Sequence, residues 1–310
     1  MATFAGRNGA IVLTRVTYDR NGSSTGLTFV DSRSGRFNGN VELCEYSVDS
    51  AMRVPGTYCT GSGPAALSPD GSLAVLVEGE LRCPQPPACE SAEEALRVLT
   101  VDGDSGPGPL TDPIDLGPYS GVDRVRWSPD AKWVLLDRRL TTGGGVGVFV
   151  APLDDVASLR FVAEGSQADW SSDGRIVIVR DSNLYVGSVG SPFRRLTYRG
   201  GSEPSWSPHG HWLAFVRKGD LYAIPAAGGK PRRITHRGGR SPVWSPDGKQ
   251  IAFFRSRDQT VGRVKFLYTV RWRKSRSARQ IGSEPLDNPD QGYGVGSAVR
   301  SPPDWQVRPR

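Results

Sequence analysis

A short pattern that returns at near-constant spacing constrains this chain more than any other feature. It reads ALSPDGSLAVLVE at 66–78, RWSPDAKWVLLDR at 126–138, DWSSDGRIVIVR at 169–180, SWSPHGHWLAFVR at 205–217 and VWSPDGKQIAFFR at 243–255. From Trp127 to Trp170 is 43 residues, then 36 to Trp206 and 38 to Trp244. Four-stranded propeller blades occupy roughly 40–45 residues, so each copy reads as one blade. Composition agrees: 38 glycines and 24 prolines beside only 37% hydrophobic residues suit many short strands joined by turns.

Each copy has a simple interior. A short strand ends at Trp-Ser, the Asp-Gly pair makes a tight turn, and an apolar run such as RIVIVR returns as the second strand. Asp70, Asp173 and Asp247 are read as acceptors for turn backbone N–H groups, and Gly71, Gly174 and Gly248 as the positive-φ residues. The tryptophans are read as packing between neighbouring blades. A third and fourth strand follow in DSNLYVGSVGSPFRRLT (181–197) and KGDLYAIPAAGGKPRRIT (218–235).

The two ends complete the pattern. GRNGAIVLTR (6–15) looks like the turn and second strand of a copy, with Asn8-Gly9 in the turn, and PPDWQVRP (302–309) like a first strand with no hairpin after it. Pairing them builds one blade from both termini and leaves no free sheet edge. The expected fold is therefore all-β: one domain over 1–310, a six-bladed β-propeller of four-stranded antiparallel blades, its ring closed by the N- and C-terminal strands.

The WSPDG hairpin, the following Leu-Tyr strand and the closing Arg-Leu-Thr together resemble the TolB-like, Pro-Asp-type propeller repeat, which is also seen in the propeller domains of prolyl oligopeptidase-like and tricorn-like proteases. The resemblance is strongest over 122–256; the second blade has Leu67 in place of tryptophan. It implies the fold and a habit of binding peptides or proteins at the channel mouth, not one activity.

Residues 1–200 carry a net −5 and residues 201–310 a net +12. The basic excess peaks in RVKFLYTVRWRKSRSARQ (263–280), where Arg271, Arg273, Lys274, Arg276 and Arg279 form a candidate patch for an anionic polymer; nucleic acid is the less favoured partner. The four cysteines, Cys44, Cys59, Cys83 and Cys89, lie in the first third, the last two bracketing the loop CPQPPAC. Their spacing matches no zinc pattern and suits disulfides in an exported protein, extracellular or in the cell envelope; free thiols and a cytoplasmic location are the alternative. The sequence contains no apolar run long enough to span a bilayer as a helix.

No Gly-x-Ser-x-Gly elbow is present, and the three histidines sit in no nucleophile context. His209 and His211 flank Gly210 in a repeat turn and are read as turn residues rather than metal ligands. The glycine run at 141–149 is read as a hairpin loop, not a phosphate loop. Counting three residues back from each tryptophan gives Arg124, Gln167, Glu203 and Ser241, candidates for binding a ligand at the channel mouth. The expectation is a monomeric, non-catalytic binding scaffold, without metal or cofactor, that recognises a protein, peptide or envelope polymer. A carbohydrate-active enzyme with paired channel carboxylates and an anion binder acting through 263–280 are the other readings.

Overall fold

The computed structural model describes the backbone of residues 8–18, 22–31, 37–47, 56–85, 88–100, 108–109, 114–115, 121–140, 145–155, 158–259, 262–273, 277–282, 286, 296–299 and 304–307. Side chains are described for 11–13, 64–77, 96–100, 121–140, 145–155, 158–258, 264–273, 277–282 and 286. The regular elements are antiparallel strands throughout, and among the described residues no helix is long and apolar enough to cross a membrane.

Sheet A begins with β1 (Asn8–Tyr18), β2 (Gly22–Asp31) and β3 (Phe37–Ser47). Sheet B holds β4 (Gly56–Leu67), β5 (Leu73–Gln85), β6 (Ala88–Thr100), β7 (Gly108–Pro109) and β8 (Ile114–Asp115). Sheet C is β9 (Val122–Trp127), β10 (Trp133–Arg139), β11 (Val146–Pro152) and β12 (Arg160–Glu164), and sheet D is β13 (Ser166–Trp170), β14 (Ile176–Arg180), β15 (Asn183–Gly187) and β16 (Arg194–Arg195). Sheet E is β17 (Ser202–Trp206), β18 (Trp212–Arg217), β19 (Asp220–Pro225) and β20 (Arg232–Arg233). Sheet F is β21 (Arg240–Trp244), β22 (Gln250–Gln259), β23 (Gly262–Arg271) and β24 (Arg279–Ile281). The chain then returns to sheet A, where β25 (Gly296–Val299) and β26 (Asp304–Val307) both pair with β1.

Two expectations need correcting. Sheets C to F are regular four-stranded blades, but sheets A and B each carry a fifth strand. The C-terminus contributes two strands to sheet A, not one, and Asn8 pairs with Val307 inside β1 instead of sitting in a turn. Both differences fall in the part of the chain where the tryptophan repeat is weakest.

The turns form as their residues dictate. In the copy at 245–250 the Ser245 hydroxyl donates to Asp247 Oδ1 (2.6 Å) and accepts from Gln250 N–H (2.9 Å). Ser68, Ser128 and Ser171 repeat this arrangement with Asp70, Asp130 and Asp173. In the copy with His209, Ser207 still accepts from Trp212 N–H (3.0 Å). Gly248 sits at φ 67°, and in sheet C Ala131 holds the same left-handed position at φ 56°, where a side chain costs about 1–2 kcal/mol. The turn aspartates are therefore structural.

Five apolar cores fill the spaces between consecutive sheets: B with C, C with D, D with E, E with F, and F with A through Ile11 and Leu13. Trp127, Trp170, Trp206 and Trp244 are all buried in these cores. Each indole removes about 150–250 Å² from water, worth roughly 4–6 kcal/mol as an upper bound. Three also lock neighbouring sheets, because Trp127, Trp206 and Trp244 donate Nε1–H to the carbonyls of Ala66, Asp169 and Ser205 in the preceding sheet (2.9, 3.2 and 3.2 Å).

The cysteine side chains lie outside the described residues. The backbone register sets Arg82 opposite Glu90, so Cys83 and Cys89 come next on adjoining strands, whereas Cys44 and Cys59 lie on β3 and β4 of different sheets.

Candidate functional site at the inner-strand rim

The first strands of consecutive sheets run side by side, β9 beside β13, β13 beside β17, β17 beside β21, and β21 beside β26. Near the start of β13, β17 and β21 the pairing slips, so that two residues face one on the partner strand. The first residue of each slip is Gln167, Glu203 or Ser241, at φ 55°, 51° and 51°. Left-handed backbone at a non-glycine residue costs of order 1–3 kcal/mol, and such bulges re-aim side chains at functional edges.

Here the re-aimed side chains join blade to blade. Glu203 N–H donates to Gln167 Oε1 (2.6 Å), and Ser241 N–H donates to Glu203 Oε2 (2.6 Å). Arg240 Nη1 donates to Glu203 Oε1 at 2.7 Å, forming an ion pair whose arginine is mostly in solvent. Three of the four residues predicted from the sequence thus meet in one line along the rim. Arginines on the second strands brace the segments leading into it: Arg180 donates to the Glu164 carbonyl, Arg217 to Gly200 and Arg255 to Gly238.

Arg124 does not join them. On β9 the slip passes over Asp123, which leaves Arg124 in register opposite Asp137 of β10, with Nε 3.9 Å from Asp137 Oδ2. Asp137 makes the link to sheet D by accepting from Ala168 N–H (3.1 and 3.2 Å). Burial pushes its carboxyl above the usual carboxylate range, against the pull of Arg124, the Ala168 N–H and Arg126.

The sequence reading missed Arg126 and Asp169. They are 1% and 0% exposed, with Arg126 Nε 3.8 Å from Asp169 Oδ1 across the C–D boundary, and Asp169 Oδ2 accepts from Trp206 N–H (2.9 Å). The signal was legible: the residue before each repeat's tryptophan, or before Leu67, is Ala66, Arg126, Asp169, Ser205 or Val243, and only two of these are charged. Asp137 and Asp169 are both enclosed and engaged between blades, so neither presents a carboxylate to a substrate.

In the basic segment, Arg271 at the end of β23, Arg273 in the turn after it and Arg279 at the start of β24 are exposed, while Lys274 and Arg276 lie outside the described residues. His209 and His211 are exposed in the turn between β17 and β18.

One family model matches, the dipeptidyl peptidase IV N-terminal region, over residues 201–243, which are sheet E and the first strand of sheet F. No curated protein matches the chain. Among solved structures it is similar to TolB from Acinetobacter baumannii (15% identity, 96% of this chain and 67% of that one, TM-score 0.59). It is also similar to a putative TolB from Agrobacterium tumefaciens (15% identity, 97% and 100%, TM-score 0.54). A prolyl endopeptidase structure matches at 17% identity and TM-score 0.51, over 89% of this chain but 43% of that one.

Proposed function

The fold is the β-propeller of TolB-like proteins, and we propose that this chain uses it as a non-catalytic binding scaffold: a six-bladed ring, closed through β1, β25 and β26, that recognises a protein or peptide at the rim. The observation that carries this reading is the bulged line Gln167–Glu203–Ser241. Three non-glycine residues are held in left-handed backbone, and they present a partly exposed carboxylate with its arginine at the inner-strand rim. The packing of Ile11 and Leu13 against sheet F, and the place of β26 beside β21, support closure.

A pull-down from the parent organism's envelope fraction, followed by surface-plasmon kinetics on the captured partner, tests the rim. Glu203→Gln and Arg240→Gln should speed dissociation, and charge reversal at Arg271 or Arg273 should only slow association and flatten its salt dependence. The opposite pattern would place the site on the basic outer strands.

We also infer export, with Cys83 and Cys89 joined, from their adjoining register and the even cysteine count. Peptide mapping without reduction, on protein from its natural compartment, should find the cross-link; two free thiols would refute it.

A further inference from the structure

The turns of neighbouring blades enclose a groove, and between sheets E and F it differs from its counterpart. That groove holds about 670 Å³, against about 460 Å³ for the one between C and D. One residue also sets sheet F apart. The position after the third strand donates its N–H to the turn before the second strand: Leu153 to Lys132, Ala226 to His211, and Trp272 to Lys249. Where sheets C and E place leucine and alanine, sheet F places an indole.

Trp272 packs edge-on against Trp212 of sheet E (5.0 Å, 62°) and Trp244 of sheet F (5.2 Å, 74°). Three indoles thus line one groove, packed edge to face against one another, and give it an aromatic wall. Cations border this wall: Lys249, Arg271 and Arg273 line the groove, all exposed, with the Arg273 guanidinium 5.9 and 6.0 Å from the rings of Trp212 and Trp272. The one carboxylate in the lining, Asp247, is engaged by the Ser245 hydroxyl (2.6 Å) and Lys249 N–H (3.0 Å), with the Lys249 ammonium 3.9 Å away, so Arg271 and Arg273 carry the uncompensated charge. The C–D groove has one lining cation, Arg160, beside Asp130.

We propose that the groove between sheets E and F is a second binding site, separate from the rim, for a small aromatic anion. The ring lies in the groove against the indole wall, where ring–ring contact and burial favour it, and the anionic group meets Arg273, Arg271 and Lys249. A core-filling role for Trp272 accounts for its burial. It does not account for three exposed cations around an open cavity of ligand size.

Isothermal titration with naphthoate on the full chain tests this, beside cyclohexanecarboxylate (same charge, no aromatic ring), naphthyl methanol (ring, no charge) and inorganic phosphate. Naphthoate should bind with a Kd of about 1 mM or tighter, the range open to a ligand of that size, and the other three about tenfold more weakly or worse. Arg273→Gln, an exposed change that leaves the melting curve in place, should weaken naphthoate about tenfold, and Trp272→Leu should weaken it as much. Arg160→Gln, in the C–D groove, should leave the affinity unchanged. Equal affinity for phosphate or cyclohexanecarboxylate would reduce the groove to a basic surface, and loss of binding in Arg160→Gln would move the site. No naphthoate binding at several times that concentration would overturn the proposal. None of these outcomes depends on the rim variants.

Discussion

The C–D and D–E boundaries are built from the same repeat and closed by different chemistry. At D–E, Trp206 donates its indole N–H to the Asp169 carbonyl and its backbone N–H to the Asp169 carboxylate, while Gln167 accepts from Glu203 N–H. At C–D, the Trp170 indole N–H finds no acceptor among the described residues, and the boundary holds the ion pair Arg126–Asp169 and the Asp137–Ala168 contact instead. An identical hairpin frame therefore leaves the inner-strand contacts free to be hydrogen bonds or an ion pair. Losing one partner of a buried neutral hydrogen bond costs about 1–3 kcal/mol. Losing one partner of a buried ion pair costs more, because the surviving charge stays in a medium that solvates it poorly.

The largest effect should come from breaking that pair. Arg126→Met leaves the Asp169 carboxylate enclosed without its cation and should cost about 3–5 kcal/mol. The matched position at the E–F boundary is Ser205, buried, with a hydroxyl that makes no hydrogen bond among the described residues and a backbone carbonyl that carries the link to Trp244. Ser205→Ala keeps that carbonyl and should be neutral within about 0.5–1 kcal/mol. Urea unfolding of both variants decides the matter, since the midpoint shift at constant slope reports stability. Comparable shifts would show that the buried ion pair is no more sensitive than the neutral side chain at the matched position.

The contrast also explains what could be read from the sequence. The Ser-Pro-Asp-Gly hairpins were legible because every contact that makes them lies within six residues of chain. Gln167, Glu203 and Ser241 were legible by counting back from the tryptophan, since β13, β17 and β21 slip at the same place. Arg124 failed the same count because the slip on β9 comes one residue earlier, and a bulge position leaves no local signature. Trp272 stood within a run read only for its charge. Its role depends on Trp212, sixty residues away in sequence and on another sheet, which no local pattern encodes.

A smaller effect, visible only as a function of pH, separates the two boundaries again. Asp137 at C–D is driven up by burial, so the folded state holds its proton at a pH where the unfolded chain has released it. Its contribution is therefore greatest at acid pH and declines as pH rises from the ordinary carboxylate range through the folded value. The turn aspartates run the other way. Burial pushes Asp173 up, but Arg175 and Ser171 together hold it below its usual value, so its contribution is lost only as pH falls beneath that range. Asp70 and Asp130 are lowered in the same sense. The two windows do not overlap, which lets one variant isolate the buried group. Asp137→Asn keeps an oxygen to accept from Ala168 N–H and removes the proton exchange, while Arg124 and Arg126, the cations facing it, remain. Measured by urea midpoint from pH 4 upward, the parent should lose stability relative to this variant as pH rises, with both falling together below pH 4 (about the ordinary carboxylate value) as the turns protonate. Two curves that stay parallel across the whole range would show that Asp137 titrates alike in folded and unfolded chains.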